Sequence, residues 1–249
     1  MAGNTEHPGA SVAARTLAVI AAFDSDHPRL TLTEIARRAM IPVPTAHRLI
    51  GELRTWGALT REPAGSYVIG RRLWDIGLLA PMQTGLREIA SPFLHDLYAA
   101  TLATVHLAVR DADQVLYIDR LAGHASVPII SNTGSRLPLH ATGVGKVLLA
   151  HAPADVQQGV LADLTRITAH TVVHPGILAG QLSRVRRDGY ATTVEEMTLG
   201  ACSVAVPVWR ADNVVAALGI IVPEIKRSRP RLVAALQVAS HGISRMLNG

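Results

Sequence analysis

The stretch from Pro44 to Trp56 sets Ala46, Leu49, Ile50 and Leu53 along one stripe of a helical wheel and turns Pro44, His47, Arg48, Gly51 and Thr55 the other way. The apolar stripe packs inward, and the polar face is left free to meet an extended anionic partner. Arg48 can bind guanine through two hydrogen bonds or hold a phosphate, and His47 can do either less strongly. Pro44 suits a first helical turn, Thr45 beside it can offer its hydroxyl to a phosphate, and Gly51 keeps bulk away from the close approach. Arg37 and Arg38, on the helix before, are candidates for backbone contact, and Arg61 for the backbone or the minor groove. Helix pairs of this kind are common in any helical protein. Three linked features favour a helix-turn-helix here: small Ala36 where the helices cross, hydrophobic Ile41 in the turn, and a Pro63-Ala64-Gly65 tip straight after the second helix.

A second cluster is His140 to Lys146, HATGVGK, followed by the apolar run Val147 to Ala150. Thr142 or a neighbour begins a helix there, and the unpaired N–H groups of its first turn attract anions. Gly143 and Gly145 leave room for a ligand near the backbone, which suits a small carboxylate; tight packing at a plain helix start is the competing explanation. A phosphate-loop reading fails, because His140 stands where the motif needs its first glycine and Val147 where it needs Ser or Thr. Thr193 and Ser203 can hydrogen-bond an acidic or hydroxylated ligand, with Cys202 beside them as a pocket wall or a buried small hydrophobe. The low aromatic content, 4%, argues against a stacking cage for large aromatic ligands.

Catalytic readings have less behind them. His170 and His174 are spaced like metal ligands, but they flank Thr171 to Val173 and end at Pro175, and no third ligand is evident. Cys202 enters an apolar strand with no basic neighbour to activate its thiol. No catalytic residue, metal or cofactor is therefore expected. A small hydrolase or metal-dependent enzyme remains the alternative of a different class, and a ligand sensor without DNA binding remains the nearer one.

The surrounding elements must position both clusters. Of 249 residues, 49% are hydrophobic and 17% charged, as expected for packed globular domains. The net charge is +5, yet nine arginines face seven carboxylates between Met1 and Asp75, so charge alone does not name DNA. A single cysteine excludes an intrachain disulfide. With no apolar segment at the start and no run long enough to span a bilayer, a cytoplasmic chain without membrane contact is expected. The patterning predicts a flexible tail over 1–10, a winged helix-turn-helix over 11–70, a linker helix over 71–88 broken at Pro81 and Gly85, and a second domain over 89–249. In that domain a helix to about Tyr98 precedes a hairpin of Val105–Val109 and Val115–Leu121. A strand near Val127–Ser131, helices at Val144–Ala150 and Gly176–Arg187, strands at Ser203–Arg210 and Val214–Val222, and a helix from about Arg231 follow. The fold class is α+β, an antiparallel sheet flanked by helices.

Four segments, SVAARTLAVIAAF, LTEIARRAMIPVPTAHRLIGEL, LPLHATGVGKVLLA and GYATTVEE with GACSVAVPV, together resemble the IclR family of bacterial regulators, from about Ser11 to the C-terminus. The resemblance implies a winged helix, a linker helix and an effector domain with a GAF/profilin-like sheet. It also implies a homodimer or tetramer that represses or activates from a palindromic double-stranded operator. It matches Gly143 and Val144 to the positions whose backbone amides meet the effector, and Ser203 to a position where many members carry cysteine. The chain departs from the pattern with Met40 in the turn, where glycine is common, and with Val43 and Pro44 where a Lys-Ser-like pair opens the recognition helix. A positive φ at Met40 is expected to carry strain, and the recognition helix lacks a Ser or Asp cap. Together these readings point to operator binding modulated by a small organic acid.

Overall fold

Ser11 starts the first helix by accepting the N–H of Ala14 on its hydroxyl at 3.0 Å, and α1 runs over Val12–Ala21. The structure, a computed structural model, describes residues 11–24, 27–77, 84–122 and 131–249. The chain divides into two units, Met1–Thr84 and Gly85–Gly249. In the first unit, α2 (Leu32–Arg38) opens with a capping box: Thr31 Oγ1 accepts from Glu34 N–H, and Glu34 Oε2 accepts from Thr31 N–H at 2.7 Å. Then follow α3 (Val43–Trp56), the antiparallel pair β1 (Leu59–Arg61) and β2 (Tyr67–Ile69), and α4 (Arg71–Gly77). Val19, Ile35, Ala46, Leu49, Ile50, Leu53, Leu59 and Tyr67 close one core around α2 and α3.

The turn between α2 and α3 is a Schellman motif. Ile41 N–H donates to Ala36 C=O at 3.0 Å and Met40 N–H to Arg37 C=O at 3.2 Å, with Met40 left-handed at φ 52°. The same motif ends α3, where Gly57 takes the left-handed place at φ 86°. Methionine at such a position costs about 1 kcal/mol, and its side chain, 59% exposed, has little packing to lose. Met40→Gly is therefore expected to raise the unfolding free energy of this unit by about 0.5–1 kcal/mol. An unchanged or lower urea midpoint would show that the turn holds no such strain.

The second unit is built on a six-stranded antiparallel sheet in the order β5-β4-β3-β8-β7-β6. The strands are β3 (Thr104–Asp111), β4 (Gln114–Leu121), β5 (Arg136–Pro138), β6 (Ala191–Val194), β7 (Cys202–Arg210) and β8 (Asn213–Val222). Helices α5 (Thr84–Thr101) and α9 (Arg229–Asn248) cover one face. The helices α6 (Gly143–Ala150), α7 (Ala154–Ala162) and α8 (Pro175–Asp188) cover the other. Side chains alternate between the faces, so Val105, Leu107 and Val109 join the first core and Ala108 the second. With helices on both sides the central strands are buried throughout, which is why β3, β7 and β8 read as long apolar runs.

Several sequence expectations need adjusting. The helix expected from Ile89 begins at Thr84 and takes in Gly85, so the final residues of the expected linker belong to α5. Glycine in a first helical turn is cheaper than in a helix interior, and the break placed there does not occur. Of the strand expected over 127–131, residues 127–130 lie outside the described residues, as does Pro81, and Ser131 is not in a strand. Helix α7 and strands β5 and β6 were not anticipated, because each is short and two of them lie at the sheet's edges.

Candidate functional site

On α3 the four apolar residues Ala46, Leu49, Ile50 and Leu53 are buried, and Val43, Pro44, His47, Arg48, Gly51, Arg54 and Thr55 are exposed. A Cβ at Gly51 would meet nothing within 4 Å, so this glycine is not there for internal packing. Thr45 is half-buried, and Pro42 caps the helix without a side-chain hydrogen bond. Arg37 on α2 and Arg61 on β1 are exposed. Arg38 is not available in the same way: its Nε donates to Ala22 C=O at 2.6 Å and its guanidinium pairs with Asp24. It ties α2 to the end of α1, which removes it from the candidate contacts. Sequence reasoning missed Arg54, which shares with Gly51, Thr55, Thr60 and Arg61 a groove between the end of α3 and the wing. The signal was a second arginine one and a half turns after Arg48 and directly ahead of the β1–β2 hairpin.

At the other end of α3, Arg72 lies over the Trp56 ring at 4.5 Å from its centroid, and its Nη1 donates to Trp56 C=O at 3.3 Å. The wing closes with Glu62 N–H donating to Ser66 C=O at 2.8 Å and Gly65 left-handed at φ 90°. Arg29 Nε and the Glu62 carboxylate, 3.0 Å apart, fasten it to the segment before α2.

In the second unit Thr142 caps α6, its Oγ1 accepting Gly145 N–H at 3.1 Å and donating to Pro138 C=O at 3.3 Å. The first turn of α6 opens on a cavity of about 40 Å³ set against the sheet. Thr142, Gly143, Val144, Thr193, Cys202 and Ser203 all line it. Thr193 Oγ1 and Ser203 Oγ share a hydrogen bond of 2.6 Å across β6 and β7. The glycines have internal work: a Cβ on Gly143 would stand 2.4 Å from Ser203 Oγ, and one on Gly145 would stand 2.4 Å from Leu139 C=O. Both let α6 settle onto β7 and onto its own entry turn, so the room they make is filled by protein rather than left for a ligand. Cys202 is buried, which pushes its thiol pKa up, with the Glu195 charge adding to the effect.

The cavity also holds His106, Tyr117 and Ser131, which sequence reasoning missed. His106 Nε2 and Ser131 Oγ are 3.2 Å apart, and the imidazole meets Tyr117 edge to face at 4.9 Å between centroids. The one available signal was a histidine at an inward position of an apolar strand. Burial, helped by the positive charge of Arg120, pushes the His106 pKa down to about 3, so the ring is neutral at physiological pH; burial raises the Tyr117 pKa. An unfolded histidine titrates near 6.5, so the unfolded chain binds the extra proton at a higher pH than the folded one. Stability contributed by neutral His106 is thus present above about pH 6.5 and is lost as pH falls towards 3. His106→Gln is expected to flatten the stability curve between pH 6 and 4 by about one proton's worth of slope, measured by urea unfolding at each pH. Superimposable curves would mean that the ring is not held neutral.

Lys146, one turn further along α6, is only 1% exposed; its ammonium donates to Glu196 Oε1 at 2.5 Å and to Gln181 Oε1 at 2.7 Å. Burial draws its pKa down, and the Glu196 carboxylate opposes the pull. A phosphate-loop lysine must be free to reach phosphate, and this one is committed to a carboxylate.

A winged helix-turn-helix ahead of a helix-flanked sheet that encloses a polar cavity is the construction of a ligand-responsive transcriptional regulator. The chain belongs to the IclR family: residues 12–63 match the IclR helix-turn-helix domain and residues 80–245 the C-terminal domain of bacterial IclR regulators. It is similar to the HTH-type transcriptional regulator KdgR of Dickeya chrysanthemi, with 32% identity over 220 residues, 86% of this chain and 72% of that protein. It is likewise similar to the HTH-type transcriptional regulator BhcR of Paracoccus denitrificans, with 33% identity over 210 residues, 82% of this chain and 75% of that protein. A crystal structure of an IclR homologue from Microbacterium hydrocarbonoxydans, complexed with 4-hydroxybenzoate, superimposes with a TM-score of 0.92. At 33% identity it covers 95% of this chain and 99% of that one. The protein is a DNA-binding transcriptional regulator with an effector-binding C-terminal domain, and its relatives are regulators rather than enzymes. Among the described residues no helix is long and apolar enough to cross a membrane.

Proposed function

We propose that the effector is a small organic acid whose carboxylate sits at the start of α6. There it is met by the backbone N–H groups of Gly143 and Val144 and by the hydroxyls of Thr142, Thr193 and Ser203, with Cys202 as part of the wall. The observation that carries this reading is the helix N-terminus opening on a buried cavity lined by those hydroxyls. The homologue that binds 4-hydroxybenzoate supports it. His106, Tyr117 and Ser131 join the site as the groups that meet a ligand hydroxyl.

The cavity of about 40 Å³ is well below the ~150 Å³ that takes up a benzene ring, so an aromatic acid enters only by moving its walls. A ligand that binds one arrangement of the walls better than another shifts the protein towards it. We assign operator contact to Thr45, His47, Arg48 and Gly51 on α3, with Arg37, Arg54 and Arg61 on the DNA backbone. The protein works as a homodimer or tetramer on a palindromic site, and coupling runs along the chain through residues 71–88. By linkage, an effector that feels the DNA-bound state must alter operator affinity by the same factor as DNA alters effector affinity.

The test is operator binding to the protein's own upstream DNA, with and without saturating 4-hydroxybenzoate or benzoate, over a range of salt. Binding is expected to fall steeply with salt and to change with the acid. Thr193→Val with Ser203→Ala is expected to weaken the acid about tenfold in calorimetry and to leave acid-free operator binding unchanged. Operator affinity identical with and without ligand, or heat with a neutral hydrophobe and none with any carboxylate, overturns the reading.

A further inference from the structure

The cleft behind the Lys146–Glu196 pair has no part in the function so far described. Its volume is about 300 Å³, and it lies between α8, the edge strand β6 and the first residue of α9. Lys146, Gln181, Arg184, Tyr190, Thr192 and Arg229 line it. None of these residues lines the effector cavity.

The charges in this cleft do not cancel. Asp188 is its one acidic lining residue, and that carboxylate is taken by Arg187 through Nε at 2.9 Å and Nη2 at 3.3 Å. Glu196 is taken by Lys146. Arg184 and Arg229 are exposed, and among the described residues neither has a carboxylate within ion-pair distance. The floor adds a donor: an ammonium carries three N–H groups, and Gln181 and Glu196 account for two of those on Lys146. Two guanidiniums from different elements, a nearly buried ammonium with one donor left, and the half-buried Tyr190 and Thr192 hydroxyls therefore converge on one space.

We propose that this cleft is a second anion-binding site, specific for a tetrahedral dianion: phosphate, free or as the monoester of a small metabolite. Guanidiniums present paired donors that match phosphate oxygens. A monocarboxylate would leave one of the two arginines unanswered, whereas a dianion answers both. Because Lys146 stands one helical turn from Gly143, an anion here acts on the helix whose start faces the effector.

Calorimetry and thermal melting on the full-length protein test the site, with inorganic phosphate and glycerol 3-phosphate as probes and sodium chloride matched for ionic strength as control. Phosphate is expected to bind with one site per chain and to raise Tm, and Arg184→Ala with Arg229→Ala to weaken it at least tenfold. Circular dichroism and unchanged binding of 4-hydroxybenzoate or benzoate would show that the variant is folded. Tighter binding of glycerol 3-phosphate identifies a phosphorylated metabolite as the ligand, and tighter binding of inorganic phosphate identifies the free ion. Phosphate binding that survives the double substitution, or that chloride at matched ionic strength reproduces, overturns the proposal. Should the alanine variant fail to fold, Arg184→Gln with Arg229→Gln keeps side-chain bulk and is held to the same outcomes.

Discussion

Arg48→Ala is expected to remove operator recognition while the fold and the affinity for effector stay as they were. Arg48 is exposed on α3, and no buried residue depends on it. A bidentate contact to guanine is worth about 1–3 kcal/mol, so each half-site loses roughly 5- to 150-fold, and a two-fold assembly loses that factor twice. Quantitative gel shift or fluorescence anisotropy against operator and scrambled DNA separates the two roles open to this side chain. Loss of a base contact lowers operator affinity and relaxes specificity at one position. Loss of a phosphate contact weakens both DNAs alike and reduces the salt slope by about one per site. Wild-type affinity for both DNAs would move the recognition surface off this face of α3.

The largest effect on stability is expected at Glu196. Its partner Lys146 is 1% exposed, and Glu196→Leu leaves that ammonium buried with only the Gln181 carbonyl oxygen to answer it. Breaking a buried pair from one side costs about 3–5 kcal/mol, against the much smaller effect of an exposed pair. Glu196 Oε2 has no hydrogen-bond partner among the described residues, so the pair is incompletely satisfied even in the native protein. Replacing both members, Lys146→Met with Glu196→Leu, is therefore expected to recover most of the loss. Calorimetric melting of wild type, both single variants and the double variant completes the cycle. If Glu196→Leu melted within a degree of wild type, the pair would not be holding α6 to the segment after β6.

Much of the first unit was legible because its signals are local. The 3.6-residue stripe on α3, the Thr31–Glu34 capping box and the Pro-Ala-Gly tip each lie within a few residues of one another, and the structure realises all three. The six residues expected around the effector line one cavity for a related reason: a helix start beside glycines is a local pattern. What could not be read depends on long-range partners. Glu196 lies 50 residues from Lys146 and Ser131 lies 25 from His106, and no spacing rule connects either pair. Arg38 looked free because helical periodicity says nothing of Ala22 and Asp24, which close on it from another helix. Gly143 and Gly145 were given to the ligand because the β7 residue that fills the space at Gly143 belongs to a distant part of the chain.

The stacking of Arg72 on Trp56 has a mechanical meaning. It pins the second residue of α4 to the final residue of α3, and Gly70 N–H reinforces the join by donating to Ala58 C=O at 2.7 Å. A joint clamped so close to the helix that faces DNA has no slack in which to absorb a twist. Torque arriving at α4 along the backbone turns α3 with it, as a key turns with its bow, and the arginine at position 48 swings through the same angle as the shaft.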